Sequence, residues 1–188
     1  MFGRLGHGPI LVLRKKDSRG SQWLSGMKEE KIMRRQYPSR PIVAVAAVIF
    51  KGDKVLLAKR ATEPSKGKWS LPGGAGELGE RHLEALKREI REETGIEIQI
   101  RDLVAVIDRI VLDRQGRVKY HYVILDYWAE HVQGVAKASS DILAITWAHV
   151  KDVGSFGLSS DALAVIAKAW KMKSNNDKGA NKGSAFIL

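Results

Sequence analysis

The sequence contains no cysteine and no apolar run of membrane-spanning length. The lack of cysteine excludes a disulfide framework and a thiolate metal site, and it fits a reducing compartment. No segment approaches the eighteen or so consecutive apolar residues that a membrane-spanning helix needs. A secretory signal is excluded because the short apolar run at residues 10–13 precedes its basic residues. We therefore expect a cytoplasmic protein without a membrane partner.

Positive charge is concentrated at the two ends of the chain. The net charge is +11, and residues 1–40 hold ten basic and three acidic side chains, whereas residues 171–188 hold four and one. Neither end has the alternating aromatic residues or a recognisable motif typical of nucleic-acid binding, which favours solvated tails. We predict a flexible basic N-terminal extension over 1–40, a folded domain over 41–173 and a disordered basic tail over 174–188.

Two other interpretations of the N-terminal extension stay open. Its first 28 residues contain Arg and Ser with Asp17 as the only acidic residue, a composition shared with organellar transit peptides. Alternatively, translation begins at Met27 or Met33, and the upstream residues do not belong to the native protein.

The apolar pattern of the central domain alternates between strands and helices. Helical spacing occurs at residues 80–94 and 161–173. Strand patterns occur at residues 42–50, 55–60, 69–71, 96–100, 104–112, 117–129 and 142–150. Hairpins among these strands and two helices predict an α/β sandwich around a mixed sheet.

The most informative stretch is a glycine-rich turn that leads into an acidic helix. The glycine pair 73–74 predicts a tight loop. Leu83, Leu86 and Ile90 follow at spacings of three and four, which places them on one helical face. Gly95 is well placed as the left-handed residue that ends the helix.

Three carboxylates of this helix lie close together. At about 100° per residue, Glu89, Glu92 and Glu93 fall within an arc of roughly 100° beside the apolar face. Like charges within one turn repel each other. A bound hard cation such as Mg²⁺ or Mn²⁺ would offset this repulsion and stabilise the cluster. From the helical pattern alone, a solvated acidic surface explains the cluster equally well.

The spacing over residues 74–96 resembles a known signature. Gly74 is followed after five residues by Glu80 and after seven more by Arg88-Glu89-Ile90-Arg91-Glu92-Glu93-Thr94-Gly95-Ile96. This pattern fills every fixed position of the Nudix box, so the chain resembles Nudix hydrolases, and a looser likeness extends over 41–171. The resemblance implies an α/β/α sandwich in which the box helix and a C-terminal helix cover opposite faces of a mixed sheet.

The resemblance also implies the components of an active site. The family hydrolyses the diphosphate of a nucleoside diphosphate linked to another group, using a divalent metal, here Mg²⁺ with Mn²⁺ as an alternative. The implied metal ligands are Glu89, Glu92, Glu93 and the carbonyl of Gly73. Arg88 and Glu80 are expected to pair and to orient the other catalytic residues, Glu89 and Glu92.

The general base and the substrate contacts are less well defined by the sequence. Ala144 stands where relatives often carry an acid, which favours a box glutamate as the base; Asp141 and Glu130 are the downstream alternatives. Arg60 and Trp69 are candidate substrate-binding residues.

The lead-in EPSKGKWSLPGG resembles that of ADP-ribose pyrophosphatases and of general nucleotide-cleaning enzymes. The favoured substrate is ADP-ribose or a similar nucleoside diphosphate derivative. One alternative is a pyrophosphatase that removes damaged nucleoside triphosphates such as 8-oxo-dGTP. Another is a non-catalytic Nudix domain that senses a nucleotide or binds RNA. The family resemblance implies a small nucleotide as the partner and a homodimer as a candidate assembly.

Overall fold

The computed structural model of the chain describes residues 35–183, in which a seven-stranded mixed sheet carries one helix on each face. A 3-10 helix, Val150–Phe156, precedes the second α-helix. The helices are α1, His82–Thr94, and α2, Ser160–Gly183. The strands are β1, Ile42–Lys51; β2, Lys54–Arg60; β3, Trp69–Ser70; β4, Gly73–Ala75; β5, Glu97–Leu112; β6, Val118–Gln133; and β7, Ile142–His149.

Strand β1 is the centre of this sheet. It runs parallel to β6 along one edge and antiparallel to the short β4 along the other. Alternate β1 side chains face opposite sides, as the period of two in a strand requires. Val45 packs in the cluster that contains Leu86 and Ile90 of α1, whereas Val48 packs with Ile166 of α2. The predicted mixed sheet, with the two helices on opposite faces, is confirmed.

Helix α1 differs from its prediction at its beginning. It starts at His82, after Gly79 and Glu80, which lie in the preceding loop. Leu86 is fully buried, but Leu83 is 40% exposed, so the first turn of the predicted apolar face is only partly covered. The helix ends as predicted: Gly95 has a φ of 70°, and its N–H donates to the Arg91 carbonyl.

Two predicted boundaries in the sheet are also corrected. The glycine pair predicted as a loop lies in β4, because Gly73 and Gly74 pair with Ala46 and Val45 of β1. The two strands predicted over 96–112 form one continuous strand, β5, which pairs with β6 and has irregular register between residues 100 and 105. Long strands tolerate such bulges, which bend the strand without ending it.

The predicted tails are shorter than expected. Tyr37 is attached to the β5–β6 turn, where its N–H donates to the Lys119 carbonyl and its hydroxyl to Asp113, so the flexible extension cannot reach residue 40. Helix α2 continues through Gly183, which contradicts disorder over 174–183. A pair between Lys173 and Asp177 supports this last part of the helix. Residues 1–34 and 184–188 lie outside the described residues, as do the predictions made for them.

Neither helix within residues 35–183 combines the length and the apolar character of a membrane span.

Candidate active site

The site is built where β4 lies in close contact with strand β1 on one side and helix α1 on the other. Gly73 has a φ of 144°, and a Cβ atom there would collide with the Val45 carbonyl oxygen. A Cβ atom on Gly74 would collide with the carboxylate of Glu89, which lies directly against that backbone. The two glycines therefore allow the strand to pair with β1 and a carboxylate to approach the strand from α1.

Glu93 is the buried carboxylate of the site. It is 6% exposed, and its Oε2 accepts a 2.8 Å hydrogen bond from the Gly73 N–H. Its Oε1 accepts a 3.0 Å hydrogen bond from Nη1 of Arg60, which also donates to the Gly73 carbonyl at 2.9 Å. The last turn of α1, the end of β2 and the start of β4 therefore meet at this carboxylate.

The environment of Glu93 favours its protonated form. Burial raises the pKa of this carboxyl to about 7, although the Arg60 charge and the Gly73 N–H oppose the rise. The negative charges of Glu89 and Asp141 raise the same pKa further. A carboxylate held under these conditions gains from any additional positive charge that approaches it.

Arg88 joins the other carboxylates of the site. Its Nε and Nη2 each donate to one oxygen of Glu80 at 2.8 Å, which is a two-pronged ion pair. Its Nη1 contacts Glu89 at 2.9 Å and Glu92 at 3.3 Å, and Nη2 also donates to the Ala75 carbonyl. The predicted contacts of Arg88 with Glu80 and Glu92 are confirmed.

Glu80 fixes the loop between β4 and α1 to the helix. The bonds from Arg88, followed by a bond from the Glu77 N–H, lower the pKa of this carboxyl to about 2. It is therefore ionised at neutral pH and holds the Arg88 guanidinium in one orientation. That orientation in turn positions Glu89, whose side chain is only 13% exposed, whereas Glu92 is 62% exposed at the outer edge.

The donor set suits a hard divalent cation, because it consists of carboxylate and carbonyl oxygens. The Glu93 carboxylate and the Gly73 carbonyl already converge on one positive nitrogen, Nη1 of Arg60. Within the described part of the chain, no three acidic or histidine side chains lie close enough together to hold a metal ion. Arg60 and Arg88 instead neutralise the box carboxylates, so the complete ligand set stays a prediction.

The two downstream candidates for the base lie in different places. Asp141 is exposed and close enough for its charge to act on Glu93, and the neighbouring Ser139 N–H donates to the Glu93 carbonyl. Glu130 pairs with Arg101. Across the sheet, Gly73 is paired through Ala46 with Asp126 of β6. Glu130 lies four residues further along β6, which is about 13 Å at the rise of a strand. The structure therefore does not bring Glu130 to the site.

A cleft of about 750 Å³, counted to its open mouth, adjoins the glycine pair. Arg60 lines this cleft, but Trp69 does not: its ring packs edge-on against Phe156 at 5.5 Å. The sequence prediction for Trp69 as a substrate contact is therefore not supported by its position. Polar residues that line the cleft and were not predicted are Arg35, Glu63, Ser65, Ser70, Arg109 and Tyr122.

The family model for the NUDIX domain matches residues 40–169. This chain belongs to the Nudix family of hydrolases. As a Nudix hydrolase, it shares with its relatives a pyrophosphohydrolase activity on nucleotide derivatives, and the family uses a divalent metal. The matched region contains every box residue discussed above.

Individual Nudix relatives differ in the substrates that they are named for. An ADP-ribose pyrophosphatase of Methanocaldococcus jannaschii is 34% identical over 131 residues, which cover 70% of this chain and 75% of that protein. A CTP pyrophosphohydrolase of Escherichia coli K12 is 42% identical over 74 residues, which cover 39% of this chain and only 55% of that protein. The crystal structure of a MutT NUDIX hydrolase from Burkholderia pseudomallei has a TM-score of 0.61 at 29% identity and covers 69% of this chain and 98% of that one.

Proposed function

We propose that the chain hydrolyses the diphosphate linkage of nucleoside diphosphate derivatives, with ADP-ribose-like compounds favoured, and that Mg²⁺ is bound by Glu89, Glu92, Glu93 and the Gly73 carbonyl. The observation that carries this proposal is the convergence of the Glu93 carboxylate and the Gly73 carbonyl on a single cationic nitrogen. The Gly73 backbone and the Arg60 side chain that holds these oxygens both line the open cleft.

Residues of the site bind the diphosphate and accept a proton from the attacking water. Mg²⁺ bound at these oxygens supplies charge neutralisation and a water of lowered pKa. Arg60 lines the cleft beside Glu93 and would be able to donate to a phosphate oxygen there. Glu92 is the most exposed of the three box carboxylates, so we assign it the role of accepting the proton from water. Asp141 stays the downstream alternative.

The substrate assignment rests on similarity and on the cleft. The relative that matches 70% of this chain is named as an ADP-ribose pyrophosphatase. Another relative is named for CTP, so a nucleoside triphosphate pyrophosphatase is the second candidate. It ranks second because this match covers a shorter region. The retained carboxylates and the Arg88 ion pairs disfavour a purely nucleotide-sensing or RNA-binding domain. A homodimer and a cytoplasmic location stay predictions from the sequence.

Product analysis separates the two enzymatic candidates. With Mg²⁺ or Mn²⁺, we expect ADP-ribose to give AMP and ribose 5-phosphate. A triphosphate pyrophosphatase instead gives a nucleoside monophosphate and inorganic pyrophosphate. If neither product appears from a panel of nucleotides, while RNA binding weakens steeply with salt, the binding-domain alternative replaces the proposal.

The metal assignment is tested with Glu93→Gln. This change keeps the size of the side chain and an acceptor for the Gly73 N–H, but it removes the charge. We expect kcat to fall by about 100-fold, or about 3 kcal/mol of barrier, together with weaker Mn²⁺ binding by calorimetry. Glu84→Gln on the exposed side of the same helix is the matched control and should retain both properties. Turnover near the wild-type level in Glu93→Gln would contradict the assignment.

A further inference from the structure

Asp126 is a buried carboxyl that the proposed hydrolytic chemistry does not use. It lies in the middle of β6, is 4% exposed, and occurs in an otherwise apolar part of the strand. Among the described residues, no group donates a hydrogen bond to its carboxyl. A buried carboxyl without a protein donor gives up part of its hydration, which is unfavourable. Its position therefore requires an explanation other than stability.

The Asp126 carboxyl lines a second cavity, on the α2 side of the sheet. This cavity has a free volume of about 490 Å³, counted to its open mouth. It also contains Asp161 from the first turn of α2 and Ser159, which precedes that helix. Burial, together with the charge of Asp161, raises the pKa of Asp126 to about 7. Above about pH 7, where this carboxyl is ionised, the cavity therefore presents a strong hydrogen-bond acceptor that has no donor within the described structure.

The second cavity adjoins the catalytic cleft. The residues that line both are Ala46, Ser70, Leu71, Arg109 and Ile124. Ala46 pairs with Gly73 on one side and with Asp126 on the other. Two strand spacings separate Gly73 from Asp126, which is about 10 Å. A ligand whose diphosphate lies at Gly73 can therefore extend across β1 toward the Asp126 carboxyl.

A second metal site is a weaker explanation for this carboxyl. Within residues 35–178, no group of three or more acidic or histidine side chains is placed to hold a metal. Arg109 also lines the cavity and would repel a cation. The walls are largely apolar, with Leu71, Ile107 and Ile124 among the lining residues. A flat, mostly apolar group that carries one or two N–H donors fits these walls better than an ion does.

We propose that this cavity receives the base of the nucleotide and that Asp126 determines specificity by accepting a hydrogen bond from an exocyclic amino group. The inference rests on the proposed function, because it assumes that a nucleotide places its diphosphate at Gly73. Adenine and cytosine offer such an amino group, whereas hypoxanthine and uracil carry a carbonyl oxygen at the same position. At pH 8, where Asp126 is ionised, a carbonyl oxygen that faces its carboxylate receives no hydrogen bond and is repelled. The site therefore prefers amino bases to their oxo counterparts of the same size.

The test is mononucleotide binding by calorimetry with Mg²⁺ at pH 8, using two matched pairs: AMP with IMP, and CMP with UMP. We expect the wild-type protein to bind the amino member of each pair at least about tenfold more tightly, as one well-formed buried hydrogen bond to a charged group allows. In Asp126→Asn, the amide can turn to donate to an oxo group. The preference should then fall below about threefold or reverse.

The control is Asp108→Asn, the same exchange at an exposed position on the neighbouring strand β5, which should keep the wild-type preference. Equal affinities for both members of each pair, no binding of any of the four mononucleotides at millimolar concentration, or an unchanged preference in folded Asp126→Asn would each overturn the inference. Failure of the proposed hydrolysis is recognised separately: the base preference would persist in binding while no nucleotide in the panel is cleaved.

Discussion

The position of the Glu89 carboxylate depends on Gly74, a residue without a side chain. The Glu89 carboxylate occupies the space where Gly74 would carry a Cβ atom. Arg88 holds the same carboxylate from the opposite direction at 2.9 Å. Glu89 is therefore fixed between the backbone of β4 and a guanidinium, and its orientation is set before any ligand arrives.

We expect Gly74→Ala to displace the Glu89 carboxylate while the fold persists. A displacement of about 1 Å at a catalytic group can lower turnover on the order of 100-fold, so kcat should fall by about 10- to 100-fold with little change in the thermal midpoint. Gly76→Ala is the matched control, because the nearest atoms to its added methyl group are 3.9 Å away. Equal activity in the two variants would show that Glu89 does not need this position.

The raised pKa of Asp126 leads to a pH dependence of stability. An acid whose pKa rises on folding binds its proton more tightly in the native state, so the free energy of unfolding decreases as the pH rises from about 4 to about 7. Asp126→Asn removes this contribution. We expect the variant to gain stability over the wild type between these pH values, on the order of 1 kcal/mol per pH unit, with no further gain above about pH 8. Urea unfolding at pH 5, 6.5 and 8.5 measures this difference; a constant difference across the range would contradict it.

Residue positions were predictable where a fixed spacing determines them. The box spacing placed Arg88 beside Glu80 and Glu92, because residues four apart meet on a helix and the family pattern links Arg88 to Glu80. The role of Arg60 at Glu93 depends on β2 and α1 meeting in space, and no local pattern encodes that contact. Asp126 did leave a signal, since a charged residue within a buried apolar strand is uncommon, but the sequence could not show which cavity it faces.

At the scale of elements, the two leucines of α1 offer a direct comparison. Leu86 is fully buried against β1, whereas Leu83 is 40% exposed. We expect Leu86→Ala to lower the free energy of unfolding by about 2–5 kcal/mol, because it leaves a cavity between helix and sheet. Leu83→Ala should cost less than about 1 kcal/mol, because the replaced side chain lies largely in solvent. Chemical denaturation of both variants provides the test, and equal losses would mean that α1 is rotated from its described orientation.

Helices and strands were predictable where local periodicity defines them. They were less predictable where pairing with a distant strand determines the structure. Strands β1 and β2 matched their apolar runs, with boundaries shifted by one residue. The short β4 was missed because two glycines predict a turn, and only their pairing with β1 makes them a strand. The extension of α2 past Lys173 was missed because Asn and Gly are poor helix formers. Continuing an existing helix costs far less than starting one, so the composition was misleading there.

At the scale of the whole molecule, the excess positive charge lies at the ends and the Nudix site lies between them. Residues 41–170 carry nearly equal numbers of basic and acidic side chains. The sheet, both helices and every residue proposed for the site fall within residues 35–183. The general basicity of the chain therefore gives no information about the substrate, because the residues proposed to act on it belong to the nearly neutral central region.

This arrangement predicts where the chain can be shortened. Removal of residues 1–34 should leave kcat unchanged and the thermal midpoint nearly so. Removal of residues 1–39 also deletes Tyr37, with its bonds to Lys119 and Asp113 and its ring 5.0 Å from the Arg117 guanidinium. These contacts are worth about 1–2 kcal/mol together. We therefore expect the longer deletion to lower the free energy of unfolding by that amount, and Tyr37→Ala in the full chain to account for part of it. Loss of folding on removal of residues 1–34 alone would show that the first segment supports the Nudix domain.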